Sequence, residues 1–110
     1  ARKRMSEPAQ PQQQQVQIKA DEKEMLGVYS NLAMIHHSPE EFTFSFLYIF
    51  PNVAGGAPQG KLVSSVIVTP AHAKRMWRAL GENISRYEAQ FGTIKETPTP
   101  PIPSNLGVLQ

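Results

Sequence analysis

The chain has 110 residues, no cysteine and a formal net charge of +2, which limits it to one domain and excludes a disulfide framework. No apolar run approaches the roughly 20 residues a helix needs to cross a bilayer. A basic N-terminus followed by glutamines lacks the hydrophobic stretch of a signal peptide, so a cytoplasmic protein is expected, and the missing cysteines fit a reducing compartment.

The ends of the chain read differently from its middle. Residues 1–15 join Arg2, Lys3 and Arg4 to prolines and a glutamine run, with Met5 the one large apolar side chain. Such a segment buries too little surface to offset its ordering entropy and is expected to be a disordered arm. If Met5 is the natural start, that arm is in part foreign to the protein. Residues 93–110 hold Pro98, Pro100, Pro101 and Pro103, which favour an extended polyproline path and exclude helix. The expected folding unit is residues 16–92.

Within it, Val16 to Ala20 alternates apolar and polar residues and suggests a short strand, and the charged run Asp21 to Glu24 suggests a turn. Gly27 to His36 is apolar on both alternating faces, as in a strand covered on two sides. After the turn H-S-P-E-E comes the clearest strand signal: Phe42, Phe44, Phe46, Tyr48 and Phe50 alternate with Thr43, Ser45, Leu47 and Ile49. That row of aromatics is expected to form the main core, with Leu47, Ile49, Ser64, Val66 and Val68 on the opposite face. Pro51 ends the strand, a glycine-rich connection follows, and Lys61 to Thr69 resumes as a β-branched strand.

Thr69-Pro70 reads as a helix start, since threonine caps free amides and proline is tolerated at the first helical position. Ala73, Trp77, Leu80, Ile84, Tyr87 and Phe91 follow at spacings of 4, 3, 4, 3 and 4, a heptad-like stripe ending at Gly92. The predicted fold is α+β: an antiparallel meander of three to four strands, then one long C-terminal helix packed on the sheet or at a subunit interface. One helix covers one sheet face, and the apolar residues of the other predict self-association. A unit of this size without disulfides is also marginal alone.

On the segments Y-S-N-L-A, H-S-P-E-E-F, T-P-A-H-A-K and R-Y-E-x-x-F-G the chain resembles, over residues 16–94, a family of short bacterial and archaeal proteins catalogued as domain of unknown function 3467. The resemblance implies no activity or site. By topology alone the chain also resembles the export chaperone SecB, a four-stranded antiparallel sheet that pairs its subunits, but it lacks that chaperone's additional C-terminal helical material.

No residue set points to catalysis. His36 and His37 are neighbours on a strand and face opposite ways, and His72 stands in the first helical turn, so no metal site is expected. Glu40 and Glu41 lie on a turn without a nucleophile or convergent partner. Gly55, Gly56 and Gly60 precede a strand where a phosphate-binding loop requires a helix. No enzyme activity, cofactor, small-molecule substrate or membrane partner is expected. Two basic clusters, Arg2, Lys3, Arg4 and Lys74, Arg75, Arg78, are the candidate contacts for nucleic acid or an acidic partner, although Glu82 and Arg86 further along suggest a solvated face. The aromatic row lacks the interleaved cations of a base-stacking surface. The twice-repeated P-x-x-P of the tail fits a peptide docking into another protein. The favoured reading is a homo-oligomeric scaffold or protein-binding module; the alternatives are a nucleic-acid-associated protein and a SecB-like holder of unfolded chains.

Overall fold

The computed structural model describes residues 14–51 and 54–98. In chain order these form helix α1 (Glu22–Leu26), strands β1 (Leu32–His37), β2 (Phe42–Phe50) and β3 (Gln59–Val68), and helix α2 (Pro70–Phe91). The strands make one antiparallel sheet in the order β1-β2-β3, the meander that local turns dictate. The basic arm residues Arg2, Lys3, Arg4 and Met5, and the tail from residue 99 onward, lie outside the described residues.

The fourth strand expected at Val16 to Ala20 is not formed. Those residues are exposed and belong to no element, because five alternating residues without a neighbouring ladder are no strand. The charged run after them is a helix rather than a turn. Asp21 caps it: its Oδ1 accepts from the Glu24 amide at 2.8 Å, and Glu24 Oε1 accepts from the Asp21 amide at 3.1 Å. Asp-x-x-Glu is a capping box legible in the sequence. Gly27, at φ 75°, ends the helix in a conformation costly for any other residue.

β1 begins at Leu32, later than the periodicity suggests, because side chains extend the ladder ahead of it. Asn31 Oδ1 accepts from the Ile49 amide and its Nδ2 donates to the Ile49 carbonyl, both at 2.9 Å. Ser30 Oγ stands 3.0 Å from the carbonyls of both Leu32 and Leu47, which share its single proton. Asn31 thus copies the paired donor and acceptor of a backbone rung.

The β2–β3 register contains an irregularity at Phe46 and Leu47: Phe46 faces Ser64 but Leu47 faces Leu62, leaving Val63 as the extra residue of a bulge. Residues directly opposite share a face. Val68, Val66 and Ser64 therefore join Phe42, Phe44 and Phe46, together with Ile35 and Ala33 of β1. This corrects the expectation that placed Ser64, Val66 and Val68 on the other side. The other face holds Leu32, Met34, Thr43, Ser45, Leu47, Ile49, Leu62, Ser65 and Ile67.

The core sits on that second face. Leu47, 4% exposed, is the buried apolar residue among those described, and Ser45 is the buried polar one. The aromatic row expected to be the main core is half-buried at Phe42, Phe44, Phe46 and Phe50 and exposed at Tyr48. The rings stay partly open because no second layer covers either face of the sheet: the extensive packing among the described residues is between paired strands, and α2 makes at most marginal contact with any of them. α2 itself starts and stops where its ends predict. Thr69 Oγ1 accepts from the His72 amide at 3.2 Å, Pro70 takes the first turn, and the Gly92 amide donates to the Glu88 carbonyl.

The Asn31 rung supplies two hydrogen bonds between part-buried groups, and each such loss costs about 1 kcal/mol or more. Asn31→Ala is expected to lower stability to urea by about 1–3 kcal/mol and to speed hydrogen exchange at the Ile49 amide. Unchanged exchange at Ile49 would show that the rung contributes nothing.

Candidate functional site

β2 is a nine-residue strand of alternating character, so pleating puts its five aromatic side chains on one face. Neighbouring rings are in register with one another. Phe44 and Phe46 stack with centroids 6.3 Å apart, Tyr48 and Phe50 lie at 5.3 Å, and Tyr29 meets Tyr48 edge-on at 5.6 Å. At the far end His37 stacks on Phe42 at 5.4 Å. The spacings suit favourable ring pairs, so the row is a plate of paired rings along one face. Ile35 and Val66 flank it on either side and are exposed.

The second unpartnered surface is the stripe on α2. Trp77, Leu80, Ile84, Tyr87 and Phe91 are all exposed, Trp77 at 68% and Phe91 at 66%, while the small Ala73 is half-buried. Tyr87 and Phe91, one turn apart, pack ring against ring at 4.9 Å. Beside the stripe, Gly81 leaves a shallow depression lined by Trp77, Arg78, Glu82 and Ser85. A β-carbon at Gly81 would meet nothing within 4 Å, so no contact inside the chain calls for glycine at a place where it costs the helix about 1 kcal/mol relative to alanine.

The remaining candidate groups are dispersed. Lys74, Arg75 and Arg78 are exposed on the first half of α2; the other basic cluster, Arg2 to Arg4, is outside the described residues. His36 and His37 alternate across β1, and His72 is on α2. Glu40 and Glu41 are exposed on the β1–β2 turn, where Ser38 Oγ accepts from both of their amides at 3.3 Å. Among the described residues no three histidines or carboxylates come together as a metal-holding group, and no helix is long and apolar enough to cross a membrane. What the geometry offers is surface: two apolar strips in one chain, neither covered by the other. Periodicity missed which residues of β3 share the aromatic face, Ser64, Val66 and Val68 on one side of the bulge and Lys61 and Gln59 on the other, because the sequence carries no register signal for them.

The chain belongs to the family described as Protein of unknown function (DUF3467), whose model matches residues 2–96. The match takes in the basic arm as well as the stretch the quoted motifs span. No curated protein and no solved structure matches the chain.

Trp77 is the sole tryptophan and reports on the stripe directly. In the single chain its fluorescence is expected to be that of an indole in water, readily quenched by iodide. A short-wavelength, iodide-resistant emission from a sample whose mass is that of a monomer would contradict its exposed placement.

Proposed function

We propose that this member of the family is a non-enzymatic, cytoplasmic, homo-oligomeric scaffold or protein-binding module whose apolar strips are covered by association. The observation that carries the reading is the exposed stripe Trp77, Leu80, Ile84, Tyr87 and Phe91 on a helix with only marginal contact to its own sheet. Removing apolar surface from water stabilises by about 25 cal/mol per Å². A large, continuous apolar strip on a small chain that encloses so little of its own surface is the signature of an interface.

The tail and the basic arm extend this reading to other partners, the first as a docking segment and the second as a contact for acidic surfaces. A nucleic-acid-associated role is the alternative supported by the exposed Lys74, Arg75 and Arg78; it entails binding that weakens steeply with salt and with reversal of those charges. A holder of unfolded chains is the alternative supported by the same uncovered aromatic row, and it entails suppression of aggregation of a denatured client.

The test is solution mass by light scattering on a sizing column, at low and high salt, with absorbance at two wavelengths to detect bound nucleic acid. A protein-only dimer or larger species, insensitive to salt, is expected. Burying a leucine is worth about 1.5–3 kcal/mol and a dimer loses two, so Leu80→Asp is expected to weaken association roughly 100-fold or more, at about 1.4 kcal/mol per tenfold. A wild-type monomer at high concentration would overturn the oligomeric reading, and a complex with nucleic acid that salt dissolves would put the basic clusters in its place.

A further inference from the structure

The connection between sheet and long helix is a single residue. β3 ends at Val68, paired with Phe42, and α2 begins at Pro70. Thr69 alone lies between them, in extended conformation at φ −71° and ψ 158°. It is committed on both sides. Proline after it confines it to the extended region, and its own groups serve the helix, the side chain accepting from His72 and the carbonyl accepting from the Ala73 amide at 2.9 Å. Strand-to-helix connections that fold a helix back on its own sheet commonly take about 2–6 residues. With one extended residue the chain has no turn with which to reverse, and α2 leaves the sheet at its Phe42 end.

The helix and the plate nevertheless match. Twenty-two helical residues span about 33 Å, and the nine residues of β2 span about 30 Å. Both surfaces are largely apolar and aromatic, with Lys61 and Gln59 of β3 at the Tyr48–Phe50 end of the plate, and both are open. One chain therefore carries two complementary halves of a core, and its own covalent joint holds them apart. A pair of copies related by a two-fold axis satisfies both halves at once, since such a contact is reciprocal by symmetry. From this we infer that α2 of each copy lays its Ala73 to Phe91 stripe along the aromatic face of a second copy, a closed dimer with exchanged helices.

Pairing α2 with α2 is the competing arrangement, since the stripe is heptad-like. It leaves the five-membered aromatic row of each sheet in water, whereas exchange covers stripe and row together. The area is sufficient. Large side chains bury about 150–250 Å² each when enclosed, so a half-exposed five-residue stripe offers on the order of 500 Å². Two stripes and the two faces they cover remove roughly 2,000 Å², above the about 1,200 Å² at which stable interfaces begin. The inference rests on the homo-oligomeric reading and specifies its contact.

The absence of cysteine makes a clean test. Full-length Val66→Cys, on the aromatic face, and Leu80→Cys, on the stripe, are mixed after co-refolding and treated with a short bis-maleimide linker, one variant carrying a size tag. A helix on its partner's sheet places the two thiols at an effective concentration in the millimolar range. The hetero-linked product is then expected in about tenfold excess over Leu80-to-Leu80 product. A dimer that links only Leu80 to Leu80 would overturn the exchange while sparing the homo-oligomeric reading; a monomer with no intermolecular product would overturn both. The double variant Val66→Cys/Leu80→Cys, linked within one chain at high dilution, would also overturn the inference, by showing that α2 reaches its own sheet. Circular dichroism checks that each variant folds, and the pair Ile35→Cys and Ile84→Cys replaces the first pair if one does not.

Discussion

Thr69 is the constraint on which the rest of this molecule depends. One residue, extended and followed by proline, joins a sheet to a 22-residue helix, and a joint of that length transmits direction instead of reversing it. The consequences run in order. α2 stands away from the strands, the aromatic face of β2 lacks a layer, and the enclosed apolar core of the described chain contracts to Leu47 on the other side of the sheet. Under the proposed exchange the same joint is an advantage, because a helix that cannot reach its own sheet is free to serve a neighbour's.

Within the sheet, the determinants are polar. Asn31 lays its amide across both backbone groups of Ile49, and Ser30 ties the carbonyls of Leu32 and Leu47. Their effect is to pin the β1–β2 register, and register decides face: a slip of one residue would carry every side chain of β1 to the opposite side. The bulge at Val63 does the same for β3, turning Leu62 to the face of Leu47 while Ser64, Val66 and Val68 stay with the phenylalanines. Gly60, opposite Ile49, leaves the room that Ile49 uses; a β-carbon there would lie 2.8 Å from Ile49 Cδ1.

For function, the arrangement concentrates what is distinctive into two apolar strips and leaves the titratable groups on turns and helix surface. No lysine or arginine stands between the rings along β2 itself, and the one cation the register adds to their face is Lys61, opposite Tyr48; base-stacking platforms interleave aromatic and basic residues more densely. The exposed Lys74, Arg75 and Arg78 lie on the first half of α2, where Arg78 shares a depression with Trp77 of the stripe.

Much of this was legible in the residues themselves. The period of two in Phe42 to Phe50, the stripe from Ala73 to Phe91, the Thr69-Pro70 start and the Gly92 stop each follow from local geometry, and each element stands where its own residues place it. The Asp21 to Glu24 capping box was equally legible, although it competes with the reading of a charged run as a turn. What local pattern does not contain is pairing. Whether Val16 to Ala20 finds a neighbouring strand, where β3 bulges, and that Asn31 spends its side chain on Ile49 depend on residues far apart in sequence. So does the division between interior and interface: an apolar stripe has the same period whether its partner is in the same chain or another. The sequence by itself determined the three strands of the meander, the long helix, their order and the apolar rows of β2 and α2, because helix and strand periods are properties of a few consecutive residues. Only the tertiary structure decided the register and left α2 off its own sheet, because those follow from the geometry of one extended joint and from contacts that no local period encodes.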